Sequence, residues 1–401
     1  MLVKFYMNNY TTEFIKKLNR KKTMQYIKFP KLEIDVSRFG MGCMRFPKTN
    51  DSKGKSIIDE TKSIKMVRYA ANNGVNYFDT AYVYGKSEYV LGKALSGGLR
   101  EKVIIATKSP VWEIEKSEEF EIYLAKELER LQTDYIDFYL LHGLNKKTWE
   151  KVKKFKLFER LDKVKKDGRI KYGAFSFHDD LSLFKEIIDS YKWDMCQIQL
   201  NFMGEDYQAG VEGLKYAASK GIGVVIMEPL LGGLLGSNVS QDIIDRWNQS
   251  GAVRTPAEWA FKWLGNFPEV SVVLSGVSTM DQLKEDIEIF ENVLPNSLTK
   301  KEIEVFKKIK KLYNSKWKVG CTGCSYCMPC PSGVNIPRVF SLYNNIFSID
   351  DQAIGKEKYK FCCDFGEDAS QCTECAKCEE KCPQHVPIID KLKEAHEYMI
   401  T

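Results

Sequence analysis

VNYFDTAYVYG, at residues 75–85, is the stretch from which the fold can be read. A six-residue run of β-type character, VNYFDT, holds an acid, Asp79, near its end, and a turn rich in Tyr and Gly follows. The design recurs. VIIATK (103–108), YIDFYLLH (135–142), RIKYGAF (169–175), MCQIQL (195–200), IGVVIM (222–227) and VSVVLSG (270–276) read as strands, and VSRFGMGCMRF (36–46) makes the first of eight. Between them, apolar residues fall at helical spacing, as in Ile64, Val67 and Ala71, in Phe120, Leu124, Leu128 and Leu131, and in Leu283, Ile287 and Phe290. Alternating strand and helix implies a parallel sheet with right-handed crossovers. Eight units between residues 34 and 293 fit an α/β fold of the (β/α)8 TIM barrel type. An open dinucleotide-binding sheet would need a Gly-rich fingerprint after an early strand, and none is present.

Thr299 and Glu302 form a capping-box signature that predicts a terminal helix through about residue 314. The barrel domain is therefore expected over 24–314, and a second, small α-helical domain over 315–401. Residues 1–23 read as an N-terminal extension, with Met24 a candidate natural start. The extension lacks a secretory signal's apolar core and cleavage site. The longest apolar stretch, 222–236, is broken by Glu228 and Pro229, so no membrane partner is expected. With 44% hydrophobic and 28% charged residues, the composition excludes fibrous and disordered classes. The formal charge of +6 is uneven: residues 1–23 carry six cations against one acid, 145–171 twelve against four, and 321–401 eight against twelve. Such runs read as solvated helix faces, and no basic stripe interleaved with aromatics calls for nucleic acid.

Four ionisable side chains fall at successive strand ends: Asp79 and Tyr84 after the second strand, Lys108 at the third and His142 at the fourth. Each alone reads as a turn cap, a rim aromatic, a solvated lysine or a packed histidine. Together they predict one convergent cluster at the barrel's C-terminal face. Tyrosine is a poor acid near neutrality, and a nearby ammonium held by a carboxylate is expected to lower its pKa. Tyr84 would then protonate a carbonyl oxygen oriented by His142.

With FDTAYVYG followed by this Lys and His, residues 24–314 resemble the aldo-keto reductase family. The resemblance implies the barrel fold, reversible NAD(P)H-dependent carbonyl reduction and a small carbonyl or alcohol substrate. It implies a catalytic tetrad of Asp79, Tyr84, Lys108 and His142. Ser176 in GAFSFH and Gln197 in MCQIQLN match positions that hold the nicotinamide carboxamide. VLSGVSTMDQLKED (273–286) matches the loop binding the adenosine phosphate, through Gly276, Ser278, Gln282 and Glu285. Helix-start N–H groups there suit an anion. The sequence departs from the family at three places. Phe177 replaces the common Asn, Met227 stands where an aromatic usually stacks on nicotinamide, and Gly276 and Gln282 replace the cations that grip a 2′-phosphate. The last departure leaves the coenzyme open and tilts the expectation to NADH.

Ten of the twelve cysteines lie in residues 321–401. CTECAKCEEKCP (372–383) is the C-x2-C-x2-C-x3-C-P run of [4Fe–4S] ferredoxins, and CTGCSYCMPCP (321–331) is the same run one residue shorter. In such pairs the fourth Cys of each motif serves the other cluster. Cluster one is thus expected on Cys321, Cys324, Cys327 and Cys382, and cluster two on Cys372, Cys375, Cys378 and Cys330. Two four-thiolate zinc sites are the competing reading. PRVFSLYNNIF, between the motifs, reads as helix, which resembles the α-helical two-cluster ferredoxin modules of larger oxidoreductases. Cys362 and Cys363 read as packing thiols, and His178, His385 and His396 receive no role. The architecture resembles ferredoxin-fused aldo-keto reductases of anaerobic microbes, which implies a reducing cytoplasm and an electron-transfer protein partner. A nicotinamide-binding redox sensor or scaffold, without carbonyl turnover, is the alternative.

Overall fold

Eight short parallel strands close on themselves, as the alternation predicts. They are β1 (Phe39–Gly42), β2 (Tyr77–Asp79), β3 (Ile104–Ser109), β4 (Ile136–Leu144), β5 (Ile170–Phe177), β6 (Met195–Gln199), β7 (Gly223–Met227) and β8 (Val270–Ser275). The computed structural model describes residues 24–401 apart from 53, 55, 238 and 349–351, so the expected extension, 1–23, lies outside the described residues. Closure pairs β8 with β1, through Val273 and Phe39, Leu274 and Gly40, and Ser275 and Met41. β1 is shorter than the expected 36–46. Asp35–Ser37 instead pairs antiparallel with Tyr26–Lys28, and Cys43–Arg45 turn into a 3-10 helix.

Period-two side chains divide the barrel's two cores. Tyr77, Ala106, Phe138, Leu140, Ala174, Met195, Val225, Val272 and Leu274 fill the interior, while the alternate residues pack under the helices. Phe29, from the loop of the opening hairpin, plugs the N-terminal end against Phe138, with ring centroids 5.1 Å apart. A Cβ at position 223 would stand 2.0 Å from the Phe29 ring, so β7 begins with glycine. The outer helices are capped as their sequences direct. Asp59 accepts from Lys62 N, Asp180 from Leu183 N, and Thr255 from Glu258 N with Pro256 at the first turn. The capping box at Thr299 and Glu302 is formed, and its helix runs over Lys300–Lys316. The cation-rich segment 145–171 meets acids of neighbouring elements. Lys151 pairs with Glu115, Arg160 with Glu118 and Glu121, Lys165 with Asp194, and Lys171 with Asp137.

Beyond Lys316 a second core forms from Val319, Val334, Val339, Phe340, Tyr343, Leu392, Ala395 and Met399. It is built by three helices, Ile336–Ser348, Gln352–Asp364 and Ile388–Ile400, with the first cysteine motif in the loop that leads into the first of them and the second in the loop before the last. The buried Asn344 amide ties the incoming chain to this core, donating to Val319 O at 2.6 Å and accepting from Val319 N at 3.0 Å. Cys362 is buried in the same core. No described helix is long and apolar enough to cross a membrane.

Candidate functional site

The C-terminal ends of β2, β3 and β4 bring Asp79, Lys108 and His142 to one place, and the turn after β2 adds Tyr84. Lys108 Nζ donates to Asp79 Oδ1 at 2.7 Å, to Asp79 Oδ2 at 2.8 Å and to Thr80 O at 2.7 Å. An ammonium has three N–H donors, so all are spent and Lys108 is locked in place. Its charge lies 5.1 Å from the Tyr84 ring centroid, and the His142 ring stands edge-on 6.0 Å from that of Tyr84. Asp79, Lys108 and His142 are almost fully buried and Tyr84 is half-buried. Burial, then the Lys108 charge, hold His142 well below its ordinary pKa, so the imidazole is neutral. Its Nδ1 has no hydrogen-bond partner among the described residues.

One expectation is corrected here. The Tyr84 phenol is not lowered; burial, followed by nearby Tyr326 and Asp79, pushes it well above its ordinary value. The reason is that the Lys108 ammonium is committed to a carboxylate in the same buried site, and desolvation of a phenolate outweighs what field remains. Tyr84 is therefore a neutral O–H donor.

A cavity of about 400 Å³ runs from these four residues across the barrel mouth. Ser176, Gln197, Met227, Gly276, Ser278, Gln282 and Glu285 all line it. The register of β5 against β6 sets Ser176 directly beside Gln197. Ser176 Oγ accepts from Gly143 N at 2.8 Å, which leaves its proton for a ligand, and buried Gln197 Oε1 has no partner among the described residues. A donor beside an orphaned acceptor fits a carboxamide. Met227 Sδ lies 3.7 Å from Gln197 Nε2. Phe177 points the other way and packs on Phe184, so it takes no part. At the far end Thr279 caps the helix Met280–Phe290, and the Gln282 side chain accepts from Ser278 N at 2.9 Å.

Three residues of this cavity carried no role in the sequence reading. His178 lines it, with burial lowering its imidazole to about 4. Asp286 is buried with Oδ2 unpartnered among the described residues, and burial raises its carboxyl to about 7. Glu228 also lines it, in left-handed backbone (φ 57°), its pKa raised by burial against the opposing Arg45 charge. Its place after Met227 in VIMEPL, an acid at a strand end, was the available signal.

The C-terminal domain covers part of this mouth. Arg45 Nη2 donates to Thr322 O at 2.7 Å. Gly232, at φ +69°, lets Thr322 O approach so closely that a Cβ there would lie 2.1 Å from it. Tyr207 Oη and Gln208 Nε2 donate to Gln384 O and Pro383 O at 2.9 and 2.8 Å, and Gln384 Nε2 donates to Gln199 Oε1 at 2.7 Å. As a result Cys324, Tyr326 and Pro383 line the same cavity as Tyr84 and His142.

Cys321, Cys324, Cys327 and Cys382 ring one small pocket, closed by Phe340, Val386 and Ile388. Among the described residues no three Cys, His, Asp or Glu side chains converge tightly enough for a single metal ion. Four thiols spread around an apolar pocket fit a four-iron cluster, which is larger than one zinc ion. Near the second motif, Ser332 Oγ meets Thr373 Oγ1 at 2.8 Å, which brings the loop after Cys330 against Cys372. Cys378 is half-buried, and Cys375 is exposed.

Comparison with known proteins agrees with both halves. The sequence model of the aldo/keto reductase family matches residues 38–311, and that of the 4Fe-4S dicluster domain matches 320–387. An uncharacterised oxidoreductase, YrpG, of Bacillus subtilis is 26% identical over 71% of this chain and 96% of its own. An NADH-specific methylglyoxal reductase of Escherichia coli is 25% identical over 66% of this chain and 93% of its own. Among solved structures, the holo form of the aldo-keto reductase AKR11C1 from Bacillus halodurans covers 71% of this chain and 96% of its own, at 25% identity and a TM-score of 0.56.

Proposed function

The chain belongs to the aldo/keto reductase family and carries a 4Fe-4S dicluster domain behind its barrel, and on that premise we propose that it interconverts a small carbonyl compound and its alcohol with a nicotinamide coenzyme. The observation that carries the reading is Lys108, pinned by both Asp79 oxygens beneath Tyr84, with neutral His142 across from it. When bound, the coenzyme supplies hydride to the carbonyl carbon, and the iron–sulfur clusters supply or accept single electrons.

The protein's own residues do the rest. Ser176 and Gln197 hold the carboxamide, with Met227 beside them. Gly276, Ser278, Gln282 and Glu285 receive the adenosine end. Tyr84 and His142 both point polar atoms at the carbonyl oxygen and orient it. As negative charge develops there, Tyr84 gives up its proton; an alkoxide is far more basic than a phenolate, so the transfer runs downhill even from a raised pKa. The Lys108 ammonium then stabilises the phenolate left behind, and Asp79 keeps that ammonium charged and aimed. Burial protects the proton transfer from competing water.

NADH is the proposed coenzyme. No cation stands at 276 or 282, and Glu285 would repel a 2′-phosphate. The Escherichia coli relative makes a short dicarbonyl such as methylglyoxal the first substrate to assay. Two [4Fe–4S] clusters are proposed, cluster one on Cys321, Cys324, Cys327 and Cys382 and cluster two on Cys372, Cys375, Cys378 and Cys330. Cys324 lines the active-site cavity, which supports cluster one as the inner cluster. Exposed Cys375 supports cluster two as the meeting point for an electron-transfer protein, in a reducing cytoplasm.

The test is methylglyoxal reduction by NADH with anaerobically purified protein. Tyr84→Phe should lower turnover by about 10²–10⁴-fold while coenzyme still binds. A Phe variant that turns over like the wild type would remove Tyr84 as the acid.

A further inference from the structure

Between two cysteines of the first motif, Tyr326 reaches back into the barrel. Its hydroxyl lies 3.3 Å from His142 Nε2, and it stands near enough to Tyr84 for the two phenols to influence one another. Those are the two groups that a carbonyl oxygen must face if the proposed chemistry holds. One oxygen can stand between them at a time.

The loop that presents Tyr326 is fastened on both sides. Arg45 and the close approach at Gly232 hold Thr322, and Tyr207, Gln208 and Gln199 hold the chain at Pro383 and Gln384 beside it. Cys324 and Cys327 flank Tyr326 and face the pocket they share with Cys321 and Cys382. Nothing in the barrel sequence requires such a phenol, and the barrel alone would leave His142 Nε2 open to the cavity.

Resting on the carbonyl reading above, we propose that Tyr326 occupies the carbonyl-oxygen position and is a specificity-determining residue. A substrate must displace its hydroxyl from His142, beside Tyr84, and then fit beside its ring. The cluster-bearing loop thus sets which carbonyls enter. Strongly accepting, slender carbonyls gain enough from the two donors to displace it; bulky ones meet the ring.

The test uses full-length, cluster-loaded protein. Tyr326→Phe removes the hydroxyl and keeps the ring, so only the competition is lost. A competing neutral hydrogen bond of ordinary strength corresponds to about 2- to 10-fold in binding. Tyr326→Phe should therefore raise kcat/KM for methylglyoxal by that factor, through a lower KM. Butyrate, a carboxylate that needs the same two donors, should bind the NAD⁺-loaded variant tighter by the same factor in calorimetry. Tyr326→Leu, which also shortens the side chain, should lower KM for benzaldehyde more than for methylglyoxal and keeps the test alive should the Phe variant fold poorly. Iron content equal to wild type shows that the loop is intact in either variant. A higher KM or weaker butyrate binding in Tyr326→Phe would mean that the hydroxyl holds substrate, and would overturn the proposal, as would no change in either. If no protein turns over methylglyoxal but butyrate binding still tightens, the occupancy stands and the carbonyl reading alone falls.

Discussion

Replacing Lys108 by Met tests the centre of the site through stability, independently of any substrate. The Lys108 side chain is 1% exposed and that of Asp79 5%. Removing one member of a buried ion pair leaves the other charge uncompensated, which typically costs about 3–5 kcal/mol. The cost should depend on pH, with a sign that can be worked out. Burial already raises the Asp79 carboxyl, and Lys108 is the largest influence lowering it. Without Lys108 the folded pKa rises further above the unfolded value. Between the two values the native state then binds more protons than the unfolded state, so stability falls as pH rises and levels off above the folded pKa. Lys108→Met should therefore cost least near pH 5 and more at pH 8. Six of the seven tryptophans lie between residues 112 and 263, so fluorescence during urea unfolding reports chiefly the barrel. A cost below about 1 kcal/mol at pH 8, or the same cost at both pH values, would refute the desolvated pair.

Further outcomes are expected elsewhere. Asp286→Asn should raise the melting temperature most at pH 8 and progressively less as the pH falls towards 4, because below a folded pKa of about 7 the native carboxyl is neutral while the unfolded one stays ionised down to about pH 4; a pH-independent difference would place Asp286 in water. Gln282→Arg should tighten NADPH about tenfold over NADH in a fluorescence titration, since a charge-assisted contact to the 2′-phosphate is worth about 1.5–3 kcal/mol. A wild type that already prefers NADPH strongly would show that another cation reaches the phosphate. Anaerobic protein should hold about eight irons. Cys382→Ala should remove about half of them and spare the cluster of Cys372, Cys375 and Cys378, whereas zinc in their place would end the assignment.

Several of these groups could be found in the sequence because their signals are local. A strand shows its two-residue period over a handful of positions, so the alternation around VNYFDT, VIIATK and YIDFYLLH exposes the barrel, and the barrel's closure places strand-end residues together. Asp79, Lys108 and His142 needed nothing more. The cysteine motifs are likewise legible, since a cluster dictates the spacing of thiols on one loop. Thr299 and Glu302 announce their helix because a cap acts over three residues.

The rest depended on contacts that no local pattern encodes. Tyr326 meets His142 across 184 positions and Arg45 meets Thr322 across 277. Glu228 and Asp286 sit in an ordinary strand end and an ordinary helix, and it is chiefly the enclosure around them that raises their pKa values. The same enclosure reversed the expected shift of Tyr84. The sequence by itself determined the strands, the helix caps, the strand-end tetrad and the two cysteine motifs, because each rests on the chemistry of a few neighbouring residues. Only the tertiary structure decided that the cluster domain closes over the barrel mouth and sets Tyr326 against His142, because desolvation and docking are properties of surfaces brought together from distant parts of the chain.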